Sequence, residues 1–203
     1  MLDVGARTKG KHLIDERLGL WRLIREDLIA NNRDWSQPGF RALVMYRFGV
    51  WTQSIPKKRR IARRLAGLVY RSMHRYVRNR YSIELHRTAR IGRRLRIAHQ
   101  GAIVIHRFAE IGDDCVIRQG VTLGNAGRGV VRDEAPKLGN EVKVGTGAVI
   151  LGRVTIGDGA RIGPNTVILS DVPPGATAFA PPPRMIYSPY DASAEEAPEL
   201  PAT

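Results

Sequence analysis

From residue 85 to residue 172 an aliphatic residue returns at every sixth position. Leu85, Ile91, Ile97 and Ile103 open four hexads, and after a two-residue slip the register resumes at Ile105, Ile111, Ile117 and Leu123. It breaks over residues 124–137 and then runs through Leu138, Val144, Ile150, Ile156, Ile162 and Ile168. A small or β-branched residue stands four places after most of these, as at Ala89, Cys115, Val121, Ala148, Ala160 and Val172, and glycine often follows the aliphatic residue directly. Such a period fits neither the ~3.6 residues per turn of an α-helix nor the simple alternation of a hairpin sheet. It fits a parallel β-helix, in which three hexads make one triangular coil. The aliphatic residue then points into the prism, the small residue faces inward near a corner, and glycine relieves steric limits at the turn.

The flanks differ from the repeat. Leu13 to Asn31 carries Ile14, Leu18, Trp21, Ile24 and Leu28 at helical spacing. Ser36-Gln37-Pro38-Gly39 reads as a turn into a second helix, Phe40 to Gln53, which Pro56 ends. Residues 57–81 are strongly basic and carry an apolar stripe from Ile61 to Val77, a third helix. The chain therefore divides into an α-helical region, 1–82, a β-helix, 83–172, with a loop at 124–137, and a Pro-rich exit and tail, 173–203. The expected end of the ladder is Val172, because Pro173-Pro174-Gly175 cannot continue a strand.

The formal net charge of +14 over 203 residues implies attraction to something anionic: a phosphorylated cofactor, an acidic glycan or an anionic membrane. No nucleic-acid motif or aromatic stacking surface accompanies the charge, which argues against nucleic acid. With a single cysteine no intrachain disulfide can form, and Cys115 at a core position of the repeat reads as a small buried hydrophobe. No signal-peptide run or membrane span is visible, so the expected location is cytoplasmic, with the basic helix able to touch the inner membrane face.

Candidate chemistry stands out against the repeat. His99, two residues after the inward Ile97, lies near a turn, where a neutral imidazole could take a proton from a hydroxyl. The loop 124–137 leaves the coil and is placed to reach something. Glu84 and Asp133 are carboxylates that could orient a histidine, whereas His12, His74, His86 and His106 lack metal-ligand partners at short spacing, so no metal is expected.

These residues resemble the serine acetyltransferase family of hexapeptide-repeat acyltransferases. The resemblance rests on Glu84-Leu85-His86-Arg87-Thr88-Ala89-Arg90-Ile91-Gly92, on His99, on Val121-Thr122-Leu123-Gly124, on Ala135-Pro136-Lys137 and on Ile150-Leu151-Gly152. It implies a left-handed parallel β-helix, assembled as a homotrimer or a dimer of trimers, with acetyl-CoA as co-substrate in a groove between prisms. By resemblance His99 is the general base and Glu84 stands where the family has the aspartate that orients it. Gly124, Gly145, Ala148 and Gly163 match the pantetheine-binding region, and Lys137 and Arg184 are candidates for the CoA phosphates.

At two positions the sequence departs from the family: Ala98 replaces the aspartate that holds the substrate amino group, and Ala135 replaces the histidine that helps bind the substrate carboxylate. A site that has lost partners for both charges should recognise serine poorly. The expectation drawn from this is an O-acetyltransferase of the colanic-acid type, acting on a hydroxyl of an exopolysaccharide or its precursor. The alternatives are a serine O-acetyltransferase of cysteine biosynthesis and a non-catalytic trimeric scaffold.

Overall fold

The structure, a computed structural model, describes residues 19–127, 134–182 and 184. Three helices, α1 (Leu20–Ala30), α2 (Pro38–Ser54) and α3 (Arg60–Tyr81), precede a left-handed β-helix. Its strands form three parallel sheets. Sheet A stacks β1 (Ile83–Leu85), β4 (Ile103–Ile105), β7 (Thr122–Gly124), β10 (Val149–Leu151) and β13 (Val167–Ile168). Sheet B stacks β2 (Arg90–Ile91), β5 (Glu110–Ile111), β8 (Lys137–Leu138) and β11 (Thr155–Ile156). Sheet C stacks β3 (Arg96–Ala98), β6 (Val116–Arg118), β9 (Lys143–Val144), β12 (Arg161–Ile162) and β14 (Thr177–Ala178). The hexad residues fill the prism: Leu85, Ile91, Ile105, Ile111, Ile117, Leu123, Ile150 and Ile156 are all buried. Cys115 is buried among them, and burial pushes its thiol up to about 12, the behaviour of an inert packing residue.

The glycine after the aliphatic residue has a more specific cause than turn freedom. A Cβ on Gly92 would stand 2.5 Å from the Gly112 carbonyl carbon, and one on Gly157 2.4 Å from the Pro174 nitrogen; Gly112 and Gly139 are equally crowded by the coil below. These glycines do not have positive φ; that conformation falls instead on Arg94, Asp114 and Glu141 beside them. The column exists because coils stack too closely there for any side chain.

The helices close the open end of the prism. An exposed first coil would leave backbone groups of β2 and β3 unpaired. Tyr46 Oη donates to Ala89 O at 2.9 Å and accepts from the Ile91 N–H at 3.1 Å. Asn31 Nδ2 donates to Leu95 O at 2.9 Å, and its Oδ1 accepts from the Ile97 N–H. Arg47 Nη1 donates to Ile91 O at 2.9 Å and Nη2 to Gly92 O, while Asp27 accepts from Arg47 Nε at 2.7 Å.

The boundaries differ from expectation in two places. Helix α2 begins at Pro38, so Pro38 and Gly39 lie inside it; Pro at the first helical position forfeits no helix bond, and Gly39 is needed because a Cβ would meet Ile97 O at 2.5 Å. The ladder also continues past Val172: Val172 bridges Ile156, and β14 pairs with β12. Pro173 and Pro174 fall at the intervening corner, where no ladder N–H is required of them. For the first helix, the expected start at Leu13 lies outside the described residues, and α1 is seen from Leu20.

Candidate active site

Strand register locates His99. Leu85 pairs with Ile105 and Ile97 with Ile117, so eight residues separate the equivalent inward positions Ile97 and Ile105, where six separate Ile117 and Leu123. The two-residue slip in the repeat is therefore an insertion in the turn from sheet C to sheet A, and His99 opens that turn. The insertion adds two positive-φ residues, His99 (φ 70°) and Gly101 (φ 113°), whereas the positive φ at Ala102 (50°) is the ordinary corner of the coil and recurs at Gly120, Gly147 and Asn165. Positive φ at a non-glycine residue is shared with the coil turns at Arg94, Asp114 and Glu141, so what sets His99 apart is the added length of its turn. The His99 ring is exposed and has no hydrogen-bond or ion-pair partner among the described residues.

Below His99 the turns joining sheet C to sheet A stack in a column. The Gly120 N–H donates to Gly101 O, the Gly147 N–H to Gln119 O and the Asn165 N–H to Thr146 O, each between 2.8 and 2.9 Å. This column carries Gly145, Ala148 and Gly163, so three of the expected pantetheine residues share an edge with His99. Their backbones are engaged in the coil: Gly145 N–H donates to Ile162 O, Gly163 N–H to Ala178 O, and Ala148 O accepts from the Thr122 N–H. Ala148 points into the prism and is fully buried. Sequence reasoning passed over Gln119, whose Oε1 is buried without a partner among the described residues, one coil beneath the His99 turn. An orphaned acceptor beside an exposed base is a place for a donor group of a ligand.

The other expected residues lie elsewhere. Gly124 ends β7, and Lys137 begins β8 on sheet B, where its Nζ stands 3.7 Å from Glu110 Oε1. Arg184 is exposed beyond the last strand. Glu84 projects outward from β1, paired in register with Val104, and no hydrogen bond joins it to His99. Its charge instead acts on His74 of α3, where it opposes the burial and the Arg78 charge that lower that ring's pKa. Ala98 is half-buried next to His99, and Ala135 is buried. Asp133 lies outside the described residues.

A left-handed hexapeptide β-helix with an exposed histidine on a bulged turn, above an edge of stacked turns, defines an acyltransferase of the hexapeptide class. Residues 135–170 match the bacterial transferase hexapeptide (six repeats) model. A serine acetyltransferase of Helicobacter pylori is 37% identical over 172 residues, covering 82% of this chain and 93% of that protein. One of Synechococcus elongatus is 39% identical over 152 residues, covering 74% of this chain and 57% of the relative. The crystal structure of a Brucella abortus serine acetyltransferase in complex with coenzyme A superposes with a TM-score of 0.66 at 27% identity, covering 82% of this chain and 67% of that one. The chain belongs to the serine acetyltransferase family. This corrects the expectation of an exopolysaccharide enzyme: these relatives, matching 74–82% of the chain, are serine acetyltransferases. Ala98 and Ala135 do not by themselves identify a different acceptor.

Proposed function

We propose that the protein is a serine O-acetyltransferase, transferring the acetyl group of acetyl-CoA to the L-serine hydroxyl with His99 as general base. The observation that carries this reading is the match to the Helicobacter pylori enzyme over 93% of its length. Acetyl-CoA supplies the activated thioester. The serine oxygen attacks the thioester carbonyl carbon as its proton passes to the free imidazole nitrogen of His99. The C–S bond then breaks, and the same proton goes to the departing thiolate. His99 suits this role because its ring is exposed and uncommitted. Glu84 is the proposed positioning carboxylate, acting from the neighbouring strand of sheet A. With Ala98 and Ala135 unable to hold the two charges of serine, Glu134 is the proposed partner of the ammonium: its Oε2 is buried without a partner among the described residues.

We further propose that the working unit is a trimer. Beyond Glu84 of β1 and Thr122 of β7, the outer face of sheet A is apolar, with Val104, Val167 and Leu169 at 41%, 59% and 66% exposure, and Val149 and Leu151 between them. The outer face of sheet C carries Arg96, Arg118, Lys143 and Arg161 instead. Glu134 and Lys137 sit at the corner between sheets A and B, whereas His99 sits at the corner between sheets C and A. A site that uses both corners is completed by two chains. Because acetyl-CoA is a cytosolic metabolite, the proposed location is the cytoplasm.

The test is thiol release from acetyl-CoA by the purified chain with L-serine as acceptor. We expect turnover with serine and a fall of ~10²–10⁴-fold in kcat for His99→Ala. Turnover unaffected by His99→Ala would remove the base assignment, and no serine-dependent release would remove the acceptor.

A further inference from the structure

We infer that the outer face of α3 binds an anionic phospholipid surface. The helix has two unlike faces. Tyr70 and Val77 are buried against α2 and the first coil. On the opposite side Ile61, Leu65, Leu68, Val69 and Tyr76 form a continuous stripe, each between 50% and 76% exposed. Helical spacing places Arg60, Arg64, Arg71, Arg75 and Arg78 in a column along one flank of that stripe. No ion pair among the described residues involves any residue of α3.

Charge decides what covers the stripe. No acidic residue occurs between Asp34 and Glu84, so neither α2 nor α3 carries a carboxylate that could answer these arginines. A second copy docked through the same face by two-fold symmetry would bring arginine column against arginine column. A bilayer rich in anionic headgroups meets both requirements, with phosphates for the guanidinium groups and an apolar boundary for the leucines. Beside the stripe, the cleft between α2 and α3 is lined by Trp35, 61% exposed, and by Tyr76. Ring types with one apolar and one polar end favour the headgroup level of a membrane. The helix would lie on the surface, since its seven arginines bar it from crossing.

Sedimentation of the full-length protein with vesicles tests this, using phosphatidylcholine alone and phosphatidylcholine mixed with phosphatidylglycerol, at low and high salt. Binding is expected only to the mixed vesicles, weakened by salt, and reduced ~10-fold or more by the double variant Arg71→Glu/Arg75→Glu and by Leu65→Glu. All three residues are exposed, so circular dichroism and thiol release should be unchanged. Absence of binding to mixed vesicles, or equal binding by the variants, would overturn the inference. So would a fall in oligomeric mass caused by Leu65→Glu, because the face would then belong to a second copy.

Discussion

Among the described residues Arg47 is the largest side chain that the fold hides, and it reaches its partners from the middle of α2. With both side chains only 1% exposed, the Arg47–Asp27 pair survives because four of the five guanidinium N–H groups donate, two to Asp27 and one each to the carbonyls of Ile91 and Gly92. Removing one partner leaves a buried charge alone. Asp27→Ala should therefore lower the unfolding free energy by about 3–5 kcal/mol in urea denaturation, and Asp27→Leu/Arg47→Met should recover part of that loss. His86 gives a pH signature. Burial, with Arg107 next in effect, drops its pKa to about 4 against an ordinary 6.5. Between those values the unfolded chain binds a proton that the native ring refuses, so stability falls as pH drops from 6.5 towards 4. Urea midpoints at pH 7 and pH 5 should differ less in His86→Gln than in the wild type. Neither the Asp27–Arg47 pair nor the His86 environment was legible in the sequence, because each depends on residues brought together by the docking of helices on the prism. The turn that carries His99 was legible, because the slip between Ile103 and Ile105 marks an insertion in a regular coil, whereas the role of His99 as general base rests on the resemblance and is a proposal.

Among elements, the turn between sheets B and C shows what a repeat reveals and what it withholds. Glycine at Gly92, Gly112, Gly139 and Gly157 was visible as a pattern, but its cause was not. The coils approach so closely there that Gly139 O would lie 2.4 Å from a Cβ on Gly112. Backbone cannot yield as a side chain can, so Gly112→Ala should cost about 1–3 kcal/mol in thermal or urea unfolding. Gly67, inside α3 with nothing near its absent Cβ, should accept alanine without loss. The neighbouring ladder of side-chain caps was also unreadable. Asp113 Oδ1 accepts from the Arg93 N–H, Asn140 Oδ1 from the Asp113 N–H, and Asp158 Oδ1 from the Asn140 N–H. Their spacing follows the coil and is lengthened by the loop, so no fixed period links them. The prolines misled for a related reason: Pro173 and Pro174 were read as an end because they cannot donate to a ladder, but a triangular coil has corners where no donation is asked.

At the scale of the whole molecule, the proposed trimer rests on the order of the sheets around the prism. The apolar outer face of sheet A lies between the corner bearing His99 and the corner bearing Glu134. Packing that face against another copy would bring one chain's His99 corner towards its neighbour's loop. A charge on the face should disrupt both assembly and chemistry: Val104→Glu is expected to reduce the mass in light scattering from trimer to monomer and to abolish serine-dependent thiol release together. A sharper consequence concerns mixed assemblies. His99→Ala disables the site at one corner and Glu134→Ala the site at the other, so homotrimers of either are inactive if both residues serve each site. In trimers assembled from equal amounts of both, a site drawing His99 from one chain and Glu134 from the next finds both intact roughly a quarter of the time. Recovery near that fraction on co-refolding requires a site shared across chains. No recovery, with mixed trimers verified by mass, would place both residues' roles within one chain and leave the apolar face to stability alone.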